Sequence, residues 1–147
     1  MIFRRATIED IKEMQRIRHS VRENRLSDAG LVTDQDCEEF ITRRGQGWVA
    51  ESGDELTGFA ILDLAEKNIW ALFVDPEFEG RGIGRRLQEL MLDWYFSSHD
   101  QNLWLGTAPH TRAASFYRKS GWRETGARAN GEIRFEMSYR SWSNTRK

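Results

Sequence analysis

Three glycines fall within five residues, Gly80, Gly82 and Gly84, inside the stretch VDPEFEGRGIGRRLQELM (residues 74–91). A strand-like run ends just before them and an amphipathic helix pattern begins at the last of them. A helix start presents unpaired N–H groups and about half a positive charge, and it binds an anion when side chains leave room. Arg81, Arg85 and Arg86 add mobile positive charge around the same turn. A diphosphate is the guest that suits such a mouth best. Two phosphate-binding patterns fail against the residues. A Walker loop needs Gly-Lys-Ser/Thr, and Gly84 is followed by two arginines. A dinucleotide fingerprint needs G-x-G-x-x-G in a βαβ unit, and here the glycines run G-x-G-x-G after a hairpin sheet.

The surrounding pattern is that of an α+β sheet protein. A short strand over residues 2–6 leads into TIED (residues 7–10), a capping box that starts a helix. Ile8, Ile11, Met14, Ile17 and Val21 give that helix one apolar face through about residue 22. Thr33 opens a second capping box and a short second helix. Residues 47–52 and 56–64 flank a GDE turn, and a second turn at EKN leads to a strand over residues 69–75, so three neighbouring strands are expected to be antiparallel. Ile83, Leu87, Leu90, Met91 and Trp94 make one wide apolar stripe on the long helix. A strand over 103–108, a short helix from Thr111 closed by Gly121, and a hairpin of 122–127 with 132–139 complete the order. We expect a mixed, mostly antiparallel sheet of six to seven strands with about four helices, in one domain over residues 1–140 followed by a tail, 141–147.

Composition excludes several classes. With 22 basic and 23 acidic residues the formal net charge is −1, so no global field draws the chain to nucleic acid or an anionic membrane. Arg16, Arg18, Arg22 and Arg25 gather around the first helix, but Glu9, Asp10, Glu13 and Glu23 interleave with them, and a solvated face is the simpler reading. The single cysteine, Cys37, rules out an internal disulfide framework and suits a reducing compartment. Three scattered histidines and one cysteine give no expectation of a metal site. No window approaches the roughly 20 apolar residues of a membrane span. A cytoplasmic location is expected. Trp70 and Trp104 read as fillers of the sheet core.

VDPEFEGRGIGRRL resembles the acyl-CoA signature of the GNAT-type N-acetyltransferase superfamily, Gln/Arg-x-x-Gly-x-Gly/Ala between a strand and a long helix. TAPHTRAASFYRKSGW (residues 107–122) resembles the same family's second signature, with Ala113, Tyr117 and Gly121 in register and Trp122 at the aromatic position. Glu79 and His110 depart from it, standing where the family usually has Gln or Arg and Asn. The pair of signatures and the element order cover nearly the whole chain.

The resemblance implies transfer of an acetyl group from acetyl-CoA to a primary amine by direct attack in a ternary complex. It places the diphosphate on the N–H groups of Gly80, Arg81, Gly82, Ile83, Gly84 and Arg85, with His110 and Ala113 on the second signature nearby. It pairs the pantetheine amides with Leu72, Phe73 and Val74, and it makes Tyr117 the general acid. The base stays open among Glu51, Asp63, Glu66, His110 and water, because Asn68 stands near the position where several members carry a glutamate. The acceptor, a small amine or a peptide, is expected to meet the first two helices and their connection, residues 19–36. The family also implies a homodimer in many cases. A non-catalytic acyl-CoA-binding or regulatory module on the same fold is the alternative.

Overall fold

The computed structural model describes residues 1–21 and 32–146. Its elements follow the chain as β1 (Ile2–Arg5), α1 (Ile11–Ser20), α2 (Asp34–Thr42), β2 (Gly45–Ser52), β3 (Glu55–Asp63), β4 (Asn68–Val74), α3 (Ile83–Phe96), β5 (Leu103–Thr107), α4 (Arg112–Lys119), β6 (Arg123–Ala127), β7 (Ile133–Met137) and α5 (Tyr139–Thr145). The strands form one seven-stranded sheet in the order β1-β2-β3-β4-β5-β7-β6. Every neighbouring pair is antiparallel except β4 with β5. The architecture is α+β with a mixed, mostly antiparallel sheet and five described α-helices.

Local chemistry sets the helix starts. The Thr7 N–H donates to the Asp10 carboxylate at 2.8 Å, and a 3-10 turn over Ile8–Asp10 precedes α1, so the regular helix begins one turn later than the capping pattern alone suggests. At α2 the box closes in both directions, Asp36 N–H to Thr33 Oγ1 and Thr33 N–H to Asp36 Oδ2, each 3.0 Å. Both satisfy N–H groups that a helix start leaves open.

The sheet carries a separate core on each face. One joins β3 residues Phe59 and Ile61 to Ile11, Met14 and Ile17 of α1 and to Cys37 and Ile41 of α2. The other joins Ala60 and Leu62 to Leu87, Met91 and Tyr95 of α3. Because β3 is covered on both faces, its sequence reads as an unbroken apolar run rather than an alternation. Gly58 lets α3 approach, since a Cβ there would meet Ile83 Cγ2 and the Phe73 carbonyl at 3.0 Å.

The expected tail, 141–147, is helical through Thr145, as part of α5. Ser138 Oγ accepts from Ser141 N–H at 3.0 Å and starts α5. Trp142 then stacks on Phe96 with ring centroids 5.5 Å apart and donates its indole N–H to Asp93 at 2.9 Å. Amphipathic spacing is too short here to announce a helix; the cap and one aromatic anchor make it.

A second difference concerns the face of α1. Arg16 is paired on the surface with Glu13 and Asp75, both at 3.0 Å. Arg18, which the interleaved charges placed on a solvated face, is buried, and so is Asp10, held by Arg4 at 2.9 Å. Arg22 and Arg25 lie outside the described residues.

Candidate active site

The site begins where the sheet comes apart. β4 and β5 pair in parallel at one position, Asn68 with Trp104. That end is secured by Trp104 N–H to the Lys67 carbonyl at 3.0 Å, Asn68 Nδ2 to the Trp104 carbonyl at 3.1 Å, and Trp104 Nε1 to the Glu66 carbonyl at 2.9 Å. Beyond it a register shift sets in: Ile61 faces Ala71 while Leu62 faces Ile69, leaving Trp70 as an extra residue on β4. A bulge bends its strand and increases twist, and β4 here runs away from β5. The strands therefore open into a fork.

A cavity of about 660 Å³ fills the fork, lined by Ile69 to Val74 of β4, Leu105 to Thr107 of β5, the glycine loop, and Ala113, Phe116 and Tyr117 of α4. That volume lies within the roughly 300–1,000 Å³ typical of cofactor and small-molecule sites. The open edge of β4 supplies its polar lining. Asp75 N–H donates to the Thr57 carbonyl at 2.8 Å, and main-chain direction alternates along an antiparallel ladder. The main-chain groups of Phe73 therefore point to β3, whereas those of Leu72 and Val74 point to the fork. This corrects the expectation for Phe73, whose main-chain groups are turned to β3 and whose ring is set 5.5 Å from that of Phe59.

The glycine loop closes one end of the cavity. Asp75 caps the turn over Pro76–Phe78 through Glu77 N–H at 3.0 Å, so the loop leaves β4 in a fixed direction. Gly80 and Gly82 then adopt φ of 78° and 80°, the left-handed region that side chains disfavour. Gly84 is different: it is helical, and a Cβ on it would make an ordinary contact with Val74 Cγ2 at 3.4 Å. Among the described residues, no carbonyl or side-chain acceptor takes the N–H groups of residues 80–85; the first helical bond is Arg86 N–H to the Gly82 carbonyl at 3.0 Å. Gly80, Gly82, Ile83, Gly84 and Arg85 all line the cavity. Arg81 does not, and its guanidinium sits 4.9 Å from the Phe78 ring. Glu79 lines the cavity and is ion-paired with Arg112.

Tyr117 reaches the cavity from α4, whose start is capped by Thr111 Oγ1 accepting from Ala114 N–H at 3.2 Å. Its ring packs edge-on against Phe116 and Trp122 at 5.2 and 5.7 Å. Burial pushes the phenol well above its usual range, so the hydroxyl stays protonated at neutral pH. It has no hydrogen-bond partner among the described residues. His110 stands outside the cavity, exposed, at φ 61° just before the α4 cap.

None of the four residues named as bases lines the cavity. Glu51 is held by Arg4 at 3.2 Å, Asp63 by Arg44 at 2.8 Å, and Glu66 is an exposed turn residue. Glu55, Asp75 and Glu77 bring carboxylate oxygens within 4.8 Å of one another, a grouping that a count of histidines and cysteines does not reveal; Asp75 is already engaged by Arg16 and Glu77 N–H. Trp70, expected as core filler, instead lines the fork and is stacked on Phe40 at 3.9 Å. Its bulge depends on pairing across the sheet and leaves no local signal. Most of the segment 19–36 lies outside the described residues.

A forked sheet with unpaired main-chain groups at its edge and an uncapped helix mouth at one end is a site for an extended ligand that carries amides and an anion. The chain belongs to the Acetyltransferase (GNAT) family, whose model matches residues 8–122. It is 34% identical over 80 residues to a [ribosomal protein bS18]-alanine N-acetyltransferase and 36% identical over 84 residues to the peptidyl-lysine N-acetyltransferase YjaB, both of Salmonella typhimurium. These matches take in 52% and 54% of this chain and 54% and 51% of those proteins, so the chain spans about half the length of the curated relatives it matches. Its fold is also that of the PaiA N-acetyltransferase from Thermoplasma acidophilum, solved in complex with coenzyme A, with a TM-score of 0.77, 18% identity, and coverage of 94% of this chain and 98% of that one. At that identity the likeness speaks for the fold alone. No helix among the described residues is long and apolar enough to cross a membrane.

Proposed function

We propose that the chain transfers an acetyl group from acetyl-CoA to a primary amine. The observation that carries this reading is the run of N–H groups at residues 80–85 that no acceptor among the described residues occupies, at the end of a fork that also holds the open edge of β4 and is lined by Tyr117. The diphosphate sits on those N–H groups, held by the helix start. The pantetheine arm lies along β4 as an added strand, exchanging hydrogen bonds with Leu72 and Val74. A neutral amine attacks the thioester carbonyl, forming the C–N bond, and the C–S bond breaks as the sulfur takes the electron pair. The Tyr117 phenol donates its hydrogen bond, and then its proton, to the departing thiolate. The proton lost by the amine passes to water, since Glu51, Asp63, Glu66 and His110 do not line the cavity, and water returns a proton to the Tyr117 phenolate, which burial disfavours.

The relatives named for alanine and lysine acceptors support an amine on a protein or peptide, and a small amine is the other member of the same class. Isothermal titration with acetyl-CoA and release of free thiol across a panel of amines and peptides test the reading together. Binding in the micromolar range and thiol release with at least one acceptor are expected. No binding of acetyl-CoA, or binding undisturbed by Gly82→Asp, refutes it. The absence of Glu51, Asp63, Glu66 and His110 from the cavity lining favours one second reading, a non-catalytic acyl-CoA-binding module. Tight binding without thiol release for any acceptor would establish that reading instead.

A further inference from the structure

A second cavity, of about 300 Å³, opens on the other side of the fork, and its wall contains the least satisfied charge among the described residues. Arg18 projects from α1 with 6% of its surface exposed. Its Nε and Nη2 are enclosed and have no acceptor among the described residues. The guanidinium lies against the rings of Phe73, Trp70 and Phe59 at 5.0, 5.1 and 5.8 Å. The π faces offset part of the loss of hydration, but an arginine cannot shed its proton to escape burial, and an unpaired buried charge is among the costliest arrangements a protein holds.

The remaining cavity wall does not neutralise it. Arg128 pairs with Glu132 at 2.7 Å, and Glu132 also accepts from Asn130 Nδ2 at 3.1 Å, so that acid is engaged on its own hairpin. Gly106 makes room for the pair, since a Cβ there would meet Glu132 Oε1 at 2.6 Å and Arg128 Cδ at 2.9 Å. Cys37, the nearest titratable neighbour on α2, is pushed up by burial and remains a neutral thiol. The charged lining residues described are therefore two arginines and one glutamate, an excess of one positive charge facing a space that shares Val21, Ile69, Trp70, Phe73 and Gly106 with the fork.

We propose that this second cavity is the acceptor subsite, and that the acceptor carries a carboxylate, received by Arg18, close to the amine that is acetylated. The inference rests on the transfer reading above and deepens it by naming the substrate class. A single carboxylate balances the excess charge, and the guanidinium takes it through charge-assisted hydrogen bonding at its Nη1 end, the end that is not enclosed; a phosphate dianion would overshoot it. With its carboxylate at Arg18, the acceptor extends past Trp70 and Phe73 toward the fork, where the thioester lies. The carboxylate comes either from a free amino acid or from an acidic residue beside a peptide's amine.

Non-reactive product mimics separate these cases without turnover. Binding of N-acetylglycine against N-acetylglycinamide, and of N-acetyl-Gly-Asp-amide against N-acetyl-Gly-Asn-amide, is measured on the full chain with and without CoA, by titration calorimetry and by intrinsic tryptophan fluorescence. In at least one pair the acid should bind tenfold or more tightly than its amide, and the pair that discriminates identifies the source. Arg18→Met, which keeps the stem and removes the charge, should reduce the preference to below twofold, raise the melting temperature and leave acetyl-CoA affinity unchanged. Arg18→Lys should keep part of the preference and serves as the readout if the methionine variant fails to fold. Equal binding of acid and amide in both pairs, or a preference that survives in the variants, overturns the proposal. Failure of the wild type to bind acetyl-CoA or release thiol would instead count against the transfer reading.

Discussion

Gly82→Ala provides a quantitative test of the glycine loop. Gly82 holds φ at 80° immediately before α3, in the conformation that leads the loop into a helix start whose N–H groups at residues 80–85 have no acceptor among the described residues. A Cβ there would meet nothing closer than Arg85 Nη2 at 4.0 Å, so the penalty is conformational rather than steric. Holding an L-residue in the left-handed region costs about 1–2 kcal/mol. That cost must surface in one of two measurements. If the loop keeps its shape, folding bears it, and the melting temperature falls by about 3–6 °C for a chain of this size. If the free loop relaxes, binding bears it, because the shape must be restored around the diphosphate, and the acetyl-CoA Kd rises about 5- to 30-fold. Calorimetric unfolding and titration on the same preparation read both terms, and their sum should come to about 1–2 kcal/mol. Gly84→Ala is the control: its φ is helical and its Cβ has space, so stability should hold or rise slightly. If Gly82→Ala shifts neither quantity, or Gly84→Ala costs as much, the loop does not act through its backbone conformation and the argument fails.

Tyr117→Phe should lower kcat by about a hundredfold, within the range of general acid catalysis, with acetyl-CoA affinity unchanged; the oxygen it deletes has no partner among the described residues, so the melting temperature should not fall. For Asp10, burial raises the carboxyl pKa, yet its hydrogen bonds from Arg4 and Thr7 outweigh that and leave it below the usual carboxylate value. Its contribution is therefore present above the unfolded value of about 4 and lost as pH falls through the lower folded value, so Asp10→Asn should destabilise at pH 7 and progressively less below pH 4, as urea unfolding across pH would show. Trp142→Ala removes the stack on Phe96 and the bond to Asp93 and should cost about 2 kcal/mol, since the indole is only partly buried; an unchanged denaturation midpoint would mean that α5 does not support the core.

The parts of this molecule that depend on neighbours in sequence can be read from sequence. Capping boxes at Thr7 and Thr33, the stripe Ile83-Leu87-Met91 and the turns between β2, β3 and β4 are local, and each is found where local chemistry puts it. The glycine spacing located the helix mouth, although it could not separate Gly82, which needs its backbone freedom, from Gly84, which does not. What escaped was created by pairing at a distance. The Trp70 bulge exists only against Ile61 and Leu62, and the fork only because β5 meets β4 at Trp104 and no further. Arg18 looks like any helix-surface arginine until Phe59, Trp70 and Phe73 close over it.

The single rung between Asn68 and Trp104 has a consequence for how the two ends of the site can change. The β4 margin offers Leu72 and Val74 to the fork through peptide groups, which every amino acid possesses, so substitution of those side chains leaves the grip on an extended amide ligand largely untouched. The opposite compartment is lined by side chains, Arg18 and Trp70 among them, and on the proposed acceptor reading a single replacement there changes what is admitted. On the transfer reading, the β4 margin tolerates side-chain replacement while the acceptor compartment is tuned by it, which lets a scaffold keep its donor while exchanging acceptors.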